Sequence, residues 1–236
     1  MKAIILAGGR GERLRPLTDQ IPKPMIPIKE KPLIFWCVDR LKKGGIKDII
    51  LSIGYKAEII QEYFKDGKEF GVNISYNIET QPLGTGGAVK DIVQKNNLKE
   101  DFALVWGDNL ADYDWKGCID QHKKTGALIT MNLTKRDDVE NFGVARLENK
   151  KIIGFVEKPK REEAPSNLIN AGAFIINPKI LEILPEGVSN IERECFQKVA
   201  VKDGKVYAFE HKGYWFPTDT LEKYNKAKEE FERICK

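Results

Sequence analysis

The sequence lacks any apolar run that approaches the ~20 residues needed to cross a bilayer, and we therefore expect no membrane-spanning segment. It also lacks a C-x-x-C pair, because its four cysteines are widely scattered. This spacing predicts neither a zinc site nor a disulfide framework. The chain passes from Met1-Lys2 directly into apolar residues, without the features of a secretory signal. These absences predict a cytoplasmic protein with reduced thiols.

A large excess of one charge is absent as well. The net charge is +4, and basic residues alternate with acidic ones, as in KDGKEF and EEFERICK. This pattern is typical of a solvated surface and argues against nucleic-acid binding. The exception is the segment 10–23, which has two acidic residues but four basic ones: Arg10, Arg13, Arg15 and Lys23. This local excess predicts a small anionic ligand.

Strand-like and helix-like runs alternate over the first half of the chain. Strands are predicted at KAIIL, DIILSI, VNISYNI and FALVW, and helices over about 32–43, over KAEIIQEYF and from about residue 85. Such alternation is typical of βαβ units. It predicts a Rossmann-like, doubly wound α/β fold with a mixed, mainly parallel sheet, in which ligands bind at the carboxyl ends of strands.

The second half shows a different pattern. Residues 132–173 contain the strand-like runs FGVARLE, KIIGFVEKP and NAGAFII, which predict a small antiparallel elaboration of the same sheet. Helix-like stretches from Pro178 and Ile191, the strand KVYAFE and the helix LEKYNKAKEEFERI follow. We interpret the chain as a single domain, 1–236, with halves 1–131 and 132–236.

The first predicted strand is followed by three glycines: Gly8, Gly9 and Gly11. Glycines allow backbone N–H groups to approach a phosphate closely. The segment is not a Walker A loop, and Leu14 stands where the dinucleotide fingerprint needs a glycine. A turn before a solvated basic loop would explain the glycines alone. Arg13 and Lys23 favour a phosphate site, because both side chains bind phosphate oxygens.

With PKPM after it, LAGGRGERLRPLT resembles the N-terminal signature of the sugar-1-phosphate nucleotidylyltransferases. One position departs from that signature, since Glu12 replaces a threonine that often contacts the nucleotide. QPLGTGGAV, WGDN, FGV, EKP and NAGAFI follow in family order and extend the resemblance over nearly the whole chain. The resemblance implies a nucleotidyltransferase of nucleotide-sugar biosynthesis that combines a nucleoside triphosphate with a sugar 1-phosphate and uses Mg2+.

The resemblance also implies roles for individual residues. The nucleotide would be bound by Leu6, Ala7, Gly8, Gly9, Gly11, Glu12, Arg13, Gln81, Pro82 and Gly86. Catalysis would depend on Arg13 at the triphosphate tail, Lys23 beside the transferring phosphate, and the carboxylates Asp108 and Asp219. The antiparallel elaboration would bind the sugar phosphate through Gly143, Glu157, Lys158 and Asn170.

Asp108 and Asp219 are the implied Mg2+ ligands, and each has an ordinary alternative. Asp108 follows a predicted strand and could instead be a turn aspartate. Asp219 lies in YWFPTDTLEKY, whereas many members have W-x-D-I-G; the form found here resembles glucose-1-phosphate cytidylyltransferases. Asp219 or Thr220 could instead cap the last helix.

The sequence leaves the base and the sugar open. PLGTGG, FVEKP, NAG and SNIERECF resemble mannose-1-phosphate guanylyltransferases, which implies GTP with mannose 1-phosphate or a related hexose or heptose 1-phosphate. VWGDNLADYD and YWFPTDT resemble the cytidylyltransferase branch, and the amide of Gln81 suits a pyrimidine too. CTP, dTTP or UTP with a glucose 1-phosphate-like sugar is therefore the alternative.

Two alternatives from other functional classes also stay open. A non-catalytic nucleotide-sugar-binding protein on the same fold is one of them, and a dehydrogenase is disfavoured by the missing third glycine. The end of the chain in a helix implies that no hexapeptide-repeat domain follows. Members of the family are commonly dimers or larger, so a homo-oligomer is possible.

Overall fold

A computed structural model describes residues 1–202 and 204–235. For residues 200–202 it describes the backbone alone. The strands are β1 (Lys2–Leu6), β2 (Pro27–Ile28), β3 (Lys31–Pro32), β4 (Asp48–Ile53), β5 (Asn73–Ile78), β6 (Phe102–Trp106), β7 (Asn109–Ala111), β8 (Ile129–Lys135), β9 (Gly143–Glu148), β10 (Lys151–Glu157), β11 (Leu168–Ile176), β12 (Val206–Glu210) and β13 (Trp215–Pro217). The α-helices are α1 (Leu33–Lys43), α2 (Ala57–Phe64), α3 (Gly84–Lys95), α4 (Trp115–Thr125), α5 (Gln197–Lys202) and α6 (Leu221–Ile234).

The chain forms two compact units that interleave along the sequence. Unit A contains Lys2–Gln81, Val105–Tyr113 and Gly213–Lys236, and unit B contains Pro82–Leu104 and Asp114–Lys212, with Met1. These boundaries do not follow the predicted halves, because Ser189 hydrogen-bonds to Leu83 and Gly86 within unit B, whereas α6 packs in unit A. That the chain is a single domain stays a prediction.

Unit A is built on parallel strands. β1 pairs with β4 in the register Lys2↔Asp48, and β4 pairs with β5 in the register Asp48↔Asn73. Strands and helices alternate here in the order β1, α1, β4, α2, β5, which confirms the α/β prediction for this part of the chain.

The apolar face of α6 closes a separate core in unit A. It packs with residues from α1, from β7 and from the segment that begins with Gly8, Gly9 and Gly11, which we call the glycine loop. The C-terminal helix is therefore held beside the segments that carry the predicted site. The buried members are Leu14, Ile26, Ile28, Leu33, Leu110, Tyr224, Ala227 and Phe231.

Unit B is mixed. β8 runs parallel to β12 and antiparallel to β11, while β10 runs antiparallel to both β9 and β12. The predicted antiparallel elaboration is confirmed by β9, β10 and β11. The helix predicted from Pro178 is a 3-10 turn, Pro178–Ile183, and the one from Ile191 starts as a π-helical turn, Glu192–Phe196, before α5.

Candidate functional site

The glycine loop of unit A begins where β1 ends. The carbonyl of Leu6 accepts a hydrogen bond from Gly107 N–H at 2.9 Å, so the residue before Asp108 lies beside the start of the loop. Ala7 is buried and donates its N–H to the Ser52 carbonyl at 2.8 Å. Gly9 is exposed, and a Cβ there would meet no atom within 4 Å. The backbone at Gly9 is therefore open to a ligand.

Gly11 shapes the second part of the loop. Its φ of 67° lies in the left-handed region, and a Cβ at this position would lie 2.7 Å from the Cβ of Lys23. The buried hydroxyl of Thr18 donates to the Gly11 carbonyl at 2.9 Å. The turn Glu12–Leu14 follows, with Glu12 exposed. Only glycine fits this close approach, which fixes the loop against the stem of Lys23.

Lys23 is a buried lysine with one carboxylate partner. It opens the 3-10 turn Lys23–Met25, and its Nζ lies 2.7 Å from Oδ2 of Asp108. The Lys23 side chain is 11% exposed, whereas that of Asp108 is 42% exposed. The carboxylate of Asp108 therefore lies at the surface of unit A, and the ammonium group of Lys23 lies beneath it.

Arg13 and Asp219 form a second ion pair, in which the cation is the more exposed partner. Nη1 of Arg13 lies 2.9 Å from Oδ2 of Asp219, and Nζ of Lys223 lies 3.1 Å from Oδ1. Burial acts to raise the pKa of Asp219, but Lys223, Arg13 and Lys23 outweigh it and lower the pKa below its usual value. Asp219 is consequently ionised. Each of the two predicted catalytic cations, Arg13 and Lys23, thus forms an ion pair with one predicted metal ligand.

The β7–β13 strand pair brings the chain segments that carry Asp108 and Asp219 side by side. Pro217 pairs with Asn109 in this antiparallel ladder, so the residues just beyond, Thr218 and Asp108, are neighbours. The fully buried Thr218 hydroxyl donates to the Asp108 carbonyl at 2.7 Å. Asp219 follows directly in the chain.

Thr220, rather than Asp219, caps the last helix. Oγ1 of Thr220 accepts a hydrogen bond from Lys223 N–H at 3.3 Å and occupies the N-cap position of α6. The alternative that gave this role to Asp219 is wrong, because its carboxylate is directed to Arg13 and Lys223 instead.

The donor set fits a magnesium ion. Mg2+ prefers hard oxygen ligands and is usually held by one or two carboxylates, with substrate phosphates and water completing the shell. Asp108 and Asp219 supply such oxygens. Within residues 1–202 and 204–235, no group of three or more acidic, histidine or cysteine side chains could hold a metal. A metal here would thus need the phosphates of a ligand.

Glu79 is a candidate that the sequence analysis missed. It follows β5, and its Oε1 accepts a hydrogen bond from the Ser52 hydroxyl at 2.8 Å. A Cβ on Gly8 would lie 3.0 Å from the same oxygen. The carboxylate therefore lies against the first glycine of the loop. Its position at the carboxyl end of a parallel strand is the signal that could have identified it. Gln81, which the sequence did suggest, is exposed.

In unit B, the predicted nucleotide-binding residues lie at the start of α3. Pro82 is exposed, while Gly86 is buried and donates its N–H to the Ser189 carbonyl at 2.9 Å. A Cβ at Gly86 would lie 2.6 Å from the Ser189 hydroxyl oxygen. The small size of Gly86 is therefore required by its contact with the 189–191 segment.

Three predicted sugar-binding residues lie side by side in unit B. Glu157 of β10 pairs with Gly143 of β9, and the β9–β11 register, Val144↔Ile169, brings Asn170 to the other side of Gly143. A Cβ on Gly143 would lie 2.7 Å from Oε2 of Glu157. We refer to Asn170, Gly143 and Glu157 as the three-strand row.

Glu157 carries an unusual charge state for a carboxyl group. Burial, followed by the neighbouring charge of Glu192, raises its pKa from 4.5 to about 7. Lys158, with its Nζ 4.0 Å from the Glu157 carboxylate, opposes this shift but is 58% exposed. Oδ1 of Asn170 accepts a hydrogen bond from Gly172 N–H at 2.7 Å, which leaves its amide group as a donor.

Comparisons with known proteins identify similar sequences and structures. The mannose-1-phosphate guanyltransferase of Saccharomyces cerevisiae is 37% identical over 222 residues, which cover 91% of this chain and 60% of the yeast protein. A UTP–glucose-1-phosphate uridylyltransferase of Synechocystis is 35% identical over 96% of this chain and 62% of its own length. The chain thus spans about three fifths of the curated relatives it matches.

The fold has a counterpart among solved structures. A crystal structure of UDP-glucose pyrophosphorylase complexed with UDP-glucose matches with a TM-score of 0.86 and 27% identity, over 99% of this chain and 98% of that one. None of the helices in the described part of the chain has the length and apolar character needed to cross a membrane. The sequence profile of the nucleotidyl transferases matches residues 2–233, and the chain belongs to that family.

Proposed function

We propose that this chain catalyses the reaction of a nucleoside triphosphate with a sugar 1-phosphate to give a nucleotide sugar and pyrophosphate. The observation that carries the proposal is the contact of buried Lys23 with both the glycine turn at Gly11 and the carboxylate Asp108. A protein that only binds a nucleotide has no need for a buried ammonium at this point. Family membership and the relatives named above support the same reaction.

In this reaction, a phosphate oxygen of the sugar 1-phosphate attacks the α-phosphorus of the triphosphate. One P–O bond forms there, and the bond to the β-phosphate breaks, with its electron pair leaving on pyrophosphate. Because two anions must meet, the protein has to neutralise and align them. Lys23 neutralises the transferring phosphate, and Arg13 leaves Asp219 to hold the triphosphate tail.

We assign the metal ligands to Asp108 and Asp219. Mg2+ bound there supplies positive charge to the phosphate oxygens. Lys23 and Arg13 already balance the two carboxylates in the absence of ligands. Each carboxylate is therefore already held by a cation before a metal would bind.

We propose GTP and mannose 1-phosphate as the substrates. The yeast relative is a mannose-1-phosphate guanyltransferase. The Glu79 carboxylate beside Gly8 also suits guanine, whose N1–H and amino group are donors. The three-strand row and Lys158 would bind the sugar phosphate. The Synechocystis relative supports UTP with glucose 1-phosphate as the alternative pair. A cytoplasmic location and the oligomeric state stay predictions.

The test is a pyrophosphate-release assay with MgCl2, the five common nucleoside triphosphates, and mannose, glucose and heptose 1-phosphates. We expect the highest kcat/KM with GTP and mannose 1-phosphate. Turnover that is highest with UTP and glucose 1-phosphate would favour the alternative pair. Clear triphosphate binding without turnover of any pair would reject the enzyme in favour of a binding protein.

A further inference from the structure

Glu192 is a buried acid in unit B to which the proposed function gives no role. It is 7% exposed and begins the π-helical turn Glu192–Phe196. A buried carboxylate is costly unless it is hydrogen-bonded. The bond comes from Thr85, whose hydroxyl donates to Oε2 of Glu192 at 2.8 Å. π-helical turns are rare and are often found at functional sites, which favours a functional role for this contact.

The contact with Thr85 is part of a longer chain of hydrogen bonds. Oγ1 of Thr85 also accepts from Ile191 N–H at 3.0 Å. Ser189 donates its N–H to the Leu83 carbonyl at 2.9 Å and accepts from Gly86 N–H at 2.9 Å. The segment before the π-helical turn is thus bonded along the start of α3, where the nucleotide-binding residues of unit B are predicted.

The same π-helical turn packs against the end of β10. The ring of Phe196 meets that of Phe155 edge to face, with centroids 6.3 Å apart, two residues before Glu157. The charged groups facing Glu157 are Glu192, Lys158 and Arg193. Burial raises the pKa of Glu192 as well, while the Thr85 hydroxyl, Lys158 and Arg193 oppose this shift and favour its charged form. Glu192 therefore contacts one predicted substrate segment and acts electrostatically on the other.

We propose that Glu192 is a positioning residue for both substrates: it fixes Thr85 at the start of α3 and, through the π-helical turn that packs against β10, acts on Glu157 of the three-strand row. The proposal rests on the proposed function. Through Thr85, Glu192 orders the segment predicted to bind the nucleotide. Through its charge, it adds to the larger effect of burial on the pKa of Glu157, so that this carboxyl, when protonated, can donate a hydrogen bond to a sugar hydroxyl.

The charge role is tested with Glu192→Gln, which keeps an acceptor for the Thr85 hydroxyl but removes the charge. The midpoint of the Glu157 carboxyl titration, followed by NMR of protein labelled with 13C-glutamate and assigned with Glu157→Gln, is expected to fall by ~1 pH unit. The pH at which the KM for mannose 1-phosphate changes should fall with it, while kcat stays within about twofold. An unchanged midpoint in a variant of normal Tm would overturn the charge role.

The contact role is tested with Thr85→Val, and Thr85→Ser serves as the matched control. Loss of one hydrogen bond to a charged group is expected to raise the KM for GTP about tenfold, with little change in kcat. Thr85→Ser should restore the KM and leave the Glu157 midpoint unchanged. A KM equal to that of the unchanged protein in Thr85→Val would overturn the contact role.

These results are distinguishable from failure of the proposed function. The carboxyl titration requires no substrate and no turnover. If the unchanged protein transfers no nucleotide in the pyrophosphate assay, the proposed function fails, and the substrate-positioning role fails with it even if the titration midpoint moves. If the protein is active and the midpoint does not move, only the charge role of Glu192 fails.

Discussion

Nζ of Lys23 lies 2.7 Å from Oδ2 of Asp108, and the stem of the same lysine packs against Gly11. One side chain thus connects the glycine loop with a predicted metal ligand. Both contacts are made by a lysine that is almost fully buried, so its position is fixed before any substrate binds. Pre-positioned charge of this kind is the main source of catalysis in phosphoryl-transfer sites.

Replacing Lys23 by alanine should remove most of the activity. We expect kcat to fall by ~10³ or more, about 4 kcal/mol, because no other cation takes its place at the transferring phosphate. The measurement is steady-state pyrophosphate release. Lys31→Ala, which changes an exposed lysine of β3, is the matched control and should keep its activity. A Lys23→Ala protein that retains more than a tenth of kcat would remove Lys23 from catalysis.

Replacing Gly11 by alanine should destabilise unit A. A Cβ at a φ of 67°, 2.7 Å from Lys23 Cβ, strains the turn and displaces the lysine. We expect a loss of about 1–3 kcal/mol in the free energy of unfolding by urea. Gly9→Ala is the control, because its Cβ would meet nothing within 4 Å. Equal stabilities of the two variants would contradict this account of the turn.

Replacing Asp219 by asparagine should change metal-free and metal-dependent binding in opposite directions. Arg13 loses its partner and one negative charge disappears, so GTP without Mg2+ should bind about tenfold more tightly, or 1.4 kcal/mol. The Mg2+ concentration needed for half-maximal turnover should rise. Isothermal titration with and without EDTA measures the first effect. Metal dependence equal to that of the unchanged protein would exclude Asp219 as a ligand.

Thr220→Ala separates the helix cap from the metal ligand. Loss of the Thr220 cap should cost about 1 kcal/mol of stability, measured by urea unfolding. The Mg2+ dependence of turnover should stay unchanged, because the carboxylate of Asp219 is not part of the cap. A large shift in Mg2+ dependence here would mean that the cap and the metal site are not separable.

Glu157 should make stability fall as the pH rises. Its pKa is about 7 in the folded protein, compared with 4.5 as its usual value, so the folded state binds more protons between these pH values. The stabilisation is fully present below pH 4.5 and is lost as the pH approaches 7, by at most about 3 kcal/mol. Glu157→Gln should therefore gain stability relative to the unchanged protein between pH 5 and pH 8. A difference that does not vary with pH would contradict the raised pKa.

The sequence predicted the long elements well and the short ones poorly. β1 and β4 were predicted because they are continuous apolar runs, which are typical of buried parallel strands. β5 and α6 were predicted because their apolar residues follow a strand or helix period. The β7–β13 pair has only three residues in each strand, too few for a period. That pair brings Asp108 and Asp219 together, so the proximity of the two carboxylates came from the motifs and not from the pattern.

Contacts distant in sequence explain the remaining differences. The division into two units depends on hydrogen bonds between Ser189 and the start of α3, which no local pattern reveals. Glu79 was not predicted, because its approach to Gly8 joins positions that lie 71 residues apart in the chain.

In the proposed sugar-phosphate site, the three-strand row would determine how the protein distinguishes a sugar from its epimers. Neighbouring strands lie about 4.8 Å apart, so Asn170, Gly143 and Glu157 are evenly spaced across a row about 10 Å long. The middle position is a buried glycine, whose missing side chain leaves room for the ring of Phe155 and the carboxylate of Glu157. We expect this row to distinguish sugars by the orientation of their hydroxyl groups. Its spacing is set by the backbone hydrogen bonds between strands and not by a flexible side chain.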